Sequence, residues 1–392
     1  MAEPTVSRAR IGHLLTSLWV GGLERFVLNL RDVLPRNSFD LTVYSWTGDD
    51  HWRSEFEAHG IPVRAIGGPH RFTSLLAPFQ MASAWARLSR QLRRDRIQIL
   101  HTHDFFPSLM GRTASLAAGV PHRVMTLHNL YEWWPSWAYK ANRMLSSRTD
   151  AVTCVSESVK NYFLEREKLL PDRYRTILNG VDETRFRPDA EARARIRTEL
   201  GIRDDEILVG SVGSITTRKA QHLLVQAASR LKERGIPVQV RIWGANDANP
   251  QHAEQQVLRQ ISEFGLSDSI KILPPRPDIE GIYNAMDIHC MTSMAEGLSL
   301  ASVEAVLCGT LCVYSDIGPF REVVEDGTTG YLFRSGDSDH LASVLAGAIE
   351  EKSRGRAMRL VGRKSGLLRF GLDRMGREYE MLYRDLLRSG AH

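Results

Sequence analysis

The chain has 392 residues, too many for one ordinary core and suited to two domains of typical size. Its 43% hydrophobic content is that of a globular protein, and no run of about twenty apolar residues offers a membrane-crossing helix. A net charge of +5 is modest for this length and makes no demand for nucleic acid as a partner.

Met1 to Arg10 lacks the apolar core of a signal peptide. From there, short apolar strands alternate with helical stretches. Arg10–Thr16, Leu41–Trp46, Val63–Ile66, Ile97–Thr102, Arg123–His128 and Ala151–Ser156 are predicted strands. Between the first two, Leu23, Phe26, Val27, Leu30, Val33 and Leu34 keep the three-and-four rhythm of a buried helix face, ended by Pro35. Arg87 to Arg96 is a basic stretch that reads as a solvated helix face, or as a face for an anionic membrane surface. Asn179-Gly180-Val181-Asp182, with Pro188 beyond, interrupts the rhythm, and a charged helix follows at Ala190–Leu200. A second series then starts at Ile207–Gly213 and continues with strands at Val238–Trp243, Ile270–Leu273, Ile288–Thr292 and Leu311–Ser315. Strand–helix alternation means parallel sheet with helices on both faces. The chain therefore reads as two successive doubly wound α/β units with a hinge near residues 180–190. Their boundaries are 1–185 and 186–370, and an amphipathic segment over 371–392 packs back on the first unit. Ligands of such sheets bind beyond the carboxyl ends of the strands, so a cleft between two facing units is the expected site. Cys154, Cys290, Cys308 and Cys312 form no CxxC pair and read as buried free thiols of a reducing cytosol.

The densest chemical signal is Met294-Ala295-Glu296-Gly297-Leu298-Ser299-Leu300-Ala301-Ser302-Val303-Glu304-Ala305. A small-residue turn opens a helix and leaves backbone N–H groups that, with the helix dipole, suit a diphosphate. Glu296 lies in the turn and Glu304 about one turn inside the helix, where carboxylates accept hydrogen bonds from sugar or ribose hydroxyls. The bland alternative makes Glu296 a cap and Glu304 a solvated residue. Upstream, Gly21 and Gly22 open the first helix, where a phosphate could rest. No G-x-G-x-x-G is present, so this is not the dinucleotide fingerprint. After the first strand of the second unit, Arg218 and Lys219 stand where cations would meet phosphates; the alternative is a solvated first helical turn. His128 ends a strand and either meets a substrate hydroxyl or is structural, and His101 and His103 are weaker candidates of the same kind. No metal cluster is visible. Asp337-Ser338-Asp339 reads as a capping turn rather than a metal site. Tyr131, Trp133, Trp134, Trp137 and Tyr139 either line an acceptor pocket, lie at a membrane interface or fill the core.

Taken together, these residues resemble the retaining glycosyltransferases of family 4, which have the GT-B architecture of two Rossmann-like domains facing across a cleft. The resemblance runs through nearly the whole chain. It is carried by Gly21-Gly22-Leu23-Glu24-Arg25, Thr126-Leu127-His128, Val155-Ser156-Glu157-Ser158 and Asn179-Gly180-Val181-Asp182. Tyr283-Asn284-Ala285-Met286-Asp287, Glu296-Gly297-Leu298, Glu304-Ala305 and Asp326–Leu332 complete it. The resemblance implies that Lys219 contacts the donor diphosphate, Glu296 the donor sugar and Glu304 the nucleotide ribose. It also implies that the amides of Gly297, Leu298 and the Gly21–Gly22 turn hold phosphates and that His128 meets the sugar near its reacting carbon. One departure stands out: the family has an arginine directly after the glycine at Gly213, and this chain has Ser214. Either Arg218 supplies that charge or the diphosphate is held less tightly.

The expected activity is transfer of a sugar from a nucleoside diphosphate to an acceptor hydroxyl with retained anomeric configuration. Charge from Lys219 and Arg218 would stabilise the leaving group, with no metal, no other cofactor and no assigned general base. The expected acceptor is a saccharide or lipid-linked saccharide of surface polysaccharide or glycolipid synthesis. The expected location is cytoplasmic, with contact at the inner membrane face. The alternatives are a silent nucleotide-sugar-binding protein, which Ser214 motivates, and a nucleotide-sugar epimerase or hydrolase on the same frame.

Overall fold

The computed structural model describes residues 8–19, 21–69, 77–103, 105–130, 135–167, 171–244 and 251–389. Met1–Gly180 with Leu372–His392 form one compact unit, and Val181–Gly371 form another.

In the first unit the strands are β1 (Ala9–Leu15), β2 (Phe39–Ser45), β3 (Val63–Ala65), β4 (Ile99–His103), β5 (His122–Leu127), β6 (Ala151–Cys154) and β7 (Tyr174–Thr176). The helices are α1 (Gly22–Val33), α2 (Arg53–Ala58), α3 (Ala77–Arg94), α4 (Phe105–Ala118), α5 (Ser136–Ser146) and α6 (Glu157–Glu167). The sheet is parallel, in the order β3-β2-β1-β4-β5-β6-β7. Strand order reverses between β1 and β4, which is where such a sheet opens a crevice for ligands.

Helix α1 forms where the apolar rhythm places it. Phe26, Val27 and Leu30 are buried, and Leu34 leaves the helix in extended geometry because a proline follows it. One sheet face packs around Phe26, Val27 and Leu30, the other around Ala84, Leu88 and Leu92 of α3.

The second unit holds α7 (Ala190–Leu200), α8 (His222–Glu233), α9 (Gln251–Glu263), α10 (Ile279–Ala285), α11 (Leu300–Leu307), α12 (Gly318–Arg321), α13 (Ser338–Glu350) and α14 (Lys352–Phe370). Its strands are β8 (Leu208–Val212), β9 (Gln239–Trp243), β10 (Ile270–Leu273), β11 (Ile288–Met291), β12 (Leu311–Ser315) and β13 (Tyr331–Phe333). They form a second parallel sheet in the order β10-β9-β8-β11-β12-β13, with the reversal between β8 and β11. The edge strands β7 and β13 lie outside the predicted set.

The final helix, α15 (Leu372–Ser389), belongs to the first unit. Met375, Tyr379, Leu382 and Tyr383 fall on one stripe and join the α1 core. Gly376 permits the close approach of the two helices: a Cβ there would lie 2.6 Å from a Val33 methyl. All four cysteines are buried and free. Among the described residues, no helix is long and apolar enough to cross a membrane.

Candidate functional site

In the second unit the loops after β8 and β11 flank the reversal of strand order. The first runs from Gly213 to Gln221 and departs from β8 through Gly213 at φ 133°, a conformation that only glycine adopts without strain. The Lys219 side chain passes directly over this glycine; a Cβ would sit 3.1 Å from its Nζ. Helix α8 begins only at His222, so Arg218 and Lys219 precede it rather than occupying its first turn. The second loop, residues 292–299, runs beside the first. Met294 N donates to Arg218 O at 2.8 Å, and Thr292 Oγ1 donates to Lys219 O at 2.8 Å.

These backbone contacts bring the cations onto Glu296. Lys219 Nζ donates to Glu296 Oε1 at 3.0 Å, and Arg218 Nη1 donates to Oε2 at 3.1 Å and to Ala295 O at 2.6 Å. Ser293 Oγ also donates to Oε1, at 2.8 Å. Glu296 is only 6% exposed. Burial works to raise its pKa, but Lys219, Arg218 and the hydrogen bonds from Lys219 and Ser293 outweigh it and hold the carboxyl below its usual range. Sequence reasoning placed Glu296 against a ligand hydroxyl; the structure shows both its oxygens engaged by protein donors. Ser293 and Thr292 were not singled out in the sequence. Small hydroxyl residues just after a strand are the signal that marks them.

Gly297 and Leu298 are buried in the turn that leads into α11, whose N-cap is Ser299. Glu304 lies in the second turn of α11, half-buried, and accepts from the Tyr283 hydroxyl at 2.7 Å. Burial, followed by the Glu304 charge, keeps that hydroxyl protonated and so a donor. Ser214 O accepts from Gln221 Nε2 at 2.9 Å.

Gly21, Gly22 and His128 belong to the first unit. Gly21 is the N-cap of α1 in ordinary extended geometry, φ −155°. Its glycine identity matters through space instead: a Cβ would lie 2.7 Å from Glu24 Oε2, because that carboxylate folds back over the helix start. His128 follows β5, and Phe26 of α1 packs edge-on to its ring at 5.2 Å between centroids. His128 Nε2 is 3.0 Å from His103 Nδ1, and His103 Nε2 is 3.0 Å from His13 Nδ1. His101 stacks on His103 at 4.3 Å and bonds the Tyr383 hydroxyl and Thr126. Burial lowers the proton affinity of all four rings, to a pKa of about 3 for His13 and His128. Among the described residues, His13, His101 and His103 are the group whose ligand atoms lie close enough to share an ion, within 4.8 Å of one another.

Two family models match this chain. Residues 192–365 match "Glycosyl transferases group 1", and residues 20–185 match "Glycosyltransferase Family 4". The chain belongs to the family 4 glycosyltransferases. It is 26% identical over 362 residues to a D-inositol 3-phosphate glycosyltransferase of Nocardia farcinica, covering 87% of this chain and 79% of that one. It is 24% identical over 369 residues to the UDP-Gal:alpha-D-GlcNAc-diphosphoundecaprenol alpha-1,3-galactosyltransferase of Escherichia coli, covering 89% and 90%. Among solved structures, Anabaena HepE in complex with UDP and glucose superposes with a TM-score of 0.86 at 23% identity, over 96% of this chain and 100% of that one. The fold is GT-B, and the protein is a transferase enzyme.

Several motif residues of this glycosyltransferase serve its frame. Asp287 accepts from Arg193 at 2.6 Å, from Arg197 at 3.1 Å and from Leu208 N at 2.8 Å, tying α7 to the start of β8. Asn284 receives Asp189 N at 2.7 Å, and Asp326 receives Leu332 N at 2.8 Å. Asp337 caps α13 by accepting from His340 N at 2.8 Å, the capping role expected of the Asp337-Ser338-Asp339 turn. Tyr131, Trp133 and Trp134 lie outside the described residues. Trp137 is exposed and packs against Phe105, and Tyr139 hydrogen-bonds Tyr162 at 3.0 Å.

Proposed function

We propose that this glycosyltransferase moves a sugar from a nucleoside-diphosphate sugar to an acceptor hydroxyl with retention, without a metal ion, in the synthesis of a surface polysaccharide or glycolipid. The observation that carries the reading is the meeting of Lys219 and Arg218 with the residues 292–299 turn at the strand-order reversal of the second unit. A diphosphate leaving group gains negative charge as the bond to the sugar breaks. Cations held in place beforehand stabilise that charge without reorganising. Glu296 keeps both cations oriented, and in the reaction it faces the sugar while the amides of Gly297 and Leu298 take phosphate oxygens. Glu304 holds the ribose, oriented by Tyr283. The leaving diphosphate accepts the proton of the acceptor hydroxyl, so no side chain is assigned as base. The UDP and glucose bound by HepE, and the lipid-linked acceptor in the name of the Escherichia coli relative, support a uridine donor and a lipid-carried acceptor.

The test incubates the purified protein with a panel of UDP-, GDP- and ADP-sugars and lipid-linked acceptors, with chelator present, and reads product configuration by NMR. The α-linked product from an α-configured donor supports the reading. Dependence on added magnesium overturns the metal-free part. Binding without transfer favours a silent binding protein, and sugar isomerisation without acceptor favours an epimerase. Lys219→Ala lowers kcat by about two to three decades, the worth of one lost leaving-group donor. The basic helix α3, with Phe79 exposed near its start, supports peripheral contact with the inner membrane face. Vesicle flotation that ignores anionic lipid content argues against that contact.

A further inference from the structure

The strand register places several polar side chains on one sheet face. His101 and His103 are two apart on β4 and so share a face. His13 on β1 is the register partner of His101, Thr126 on β5 is the partner of His103, and His128 lies two residues beyond Thr126. The result is a run of three imidazoles, His13 Nδ1 to His103 Nε2 and His103 Nδ1 to His128 Nε2, each step 3.0 Å. His101 lies beside this run, with both nitrogens engaged by Tyr383 and Thr126.

Two ring nitrogens in the run have no partner among the described residues. His13 is fully buried and its Nε2 has no hydrogen-bond partner, whereas His128 is a partly exposed residue. A neutral imidazole carries one N–H and one lone pair. Three neutral rings therefore hold three N–H protons. Two of them make the two N–H···N bonds, and the third must sit at one end of the run. Since no neutral ring can donate twice or accept twice, both bonds must point the same way. If they point toward His13, its Nε2–H is buried without an acceptor. If they point toward His128, only a lone pair is left unmet at His13, and the N–H emerges on His128 Nδ1. Orphaned buried N–H groups are the rarer and costlier case.

We propose that His13 and His103 are positioning residues that lock His128 in the Nδ1–H tautomer, so that it presents a hydrogen-bond donor to a sugar hydroxyl. The tautomer follows from the run alone; only the identity of what His128 meets rests on the transferase reading. An imidazole locked this way is a donor at every turnover, where an unlocked one would offer a lone pair in part of the population. It would thus discriminate in favour of a ligand oxygen with a free lone pair at that position.

The full-length chain labelled with 15N-histidine tests this directly. Long-range 1H–15N correlation at neutral pH distinguishes protonated from bare ring nitrogens. The expected result is a protonated Nδ1 and bare Nε2 in both His103 and His128; a protonated Nε2 on His128 overturns the proposal. The second arm compares His103→Asn, whose amide nitrogen can donate where Nδ1 did, with His103→Leu, which cannot. His103→Leu raises KM for the sugar donor or lowers kcat by about tenfold, the worth of one hydrogen bond, while His103→Asn keeps most of the activity. Equal loss in both overturns the proposal. Stoichiometric zinc retained by protein purified without chelator also overturns it, because the nitrogens would then serve an ion. Should His103→Leu not fold, the spectrum of the unaltered chain decides. Absence of sugar transfer with the expected tautomer would sink the transferase reading and leave the tautomer assignment standing.

Discussion

Burial alone would raise the pKa of Glu296; two cations and a serine hydroxyl hold it below its usual range. That balance makes specific demands. Its pKa in the folded state lies below the unfolded value of 4.5, so the folded state prefers the ionised form. The stability this contributes is fully present above pH 4.5 and is lost as the pH falls through the lower folded value. In urea titrations across this range, the unaltered protein should lose more stability on acidification than Glu296→Gln, which cannot titrate; parallel curves would contradict the assignment. Removing the carboxylate in Glu296→Ala leaves two cations facing each other with no counter-charge. At neutral pH this should cost about 3 kcal/mol, as for a broken buried pair. Lys219→Ala and Glu296→Ala should then be non-additive, with a coupling of about 2 kcal/mol in a double-mutant cycle read by denaturant unfolding. Additive losses would mean that the 3.0 Å contact carries no energy of its own.

At the scale of elements, the strands with several apolar residues were legible because parallel strands buried on both faces show as apolar runs; Leu311–Ser315, buried at every position, carries the same limits in the structure. The charged helix Ala190–Leu200 was legible because Asp189 caps it and Gly201 ends it in left-handed geometry. Pairings across the chain were not legible. Nothing local joins Lys219 to Glu296, 77 residues away, or shows that Glu296 spends its oxygens on protein cations. His13 gave no signal, since one histidine in an apolar strand has no period; its role depends on β1 lying beside β4. Asp287 was read only as part of a family motif, whereas the structure makes it the anchor of α7. Asp287→Ala strands the buried Arg197 guanidinium and frees Leu208 N–H, so it should cost about 3–5 kcal/mol. Asp337→Ala removes the cap of α13 and a solvated ion pair with Arg334, both at the surface, and should cost clearly less than Asp287→Ala. Urea unfolding followed by hydrogen exchange of second-unit peptides checks the ranking; equal losses would show that Asp287 is not the anchor.

At the scale of the whole chain, the last helix returns to the unit built from the first 180 residues. Its contribution there is large. Met375, Tyr379, Leu382 and Tyr383 are each 2% exposed or less. Burying a side chain of this size stabilises by roughly 1.5–3 kcal/mol, so four of them rival the ~5–15 kcal/mol that holds a whole domain folded. The helix also supplies polar partners that the sheet face lacks. The Tyr383 hydroxyl meets His101 Nδ1 at 2.7 Å, the Tyr379 hydroxyl donates to Thr153 at 3.2 Å, and Gly180 N donates to Met375 Sδ at 3.1 Å. A chain ending at Gly371 would therefore lose apolar cover and leave His101 and Thr153 short of partners in the same place. Hydrogen exchange read by peptide mass spectrometry should find that this truncated chain loses protection in β1, β4 and β5. Protection in β8 and β11, whose own core lies within residues 181–371, should be retained. Unchanged protection in β4 would mean that α15 is an accessory to the first unit rather than part of its core.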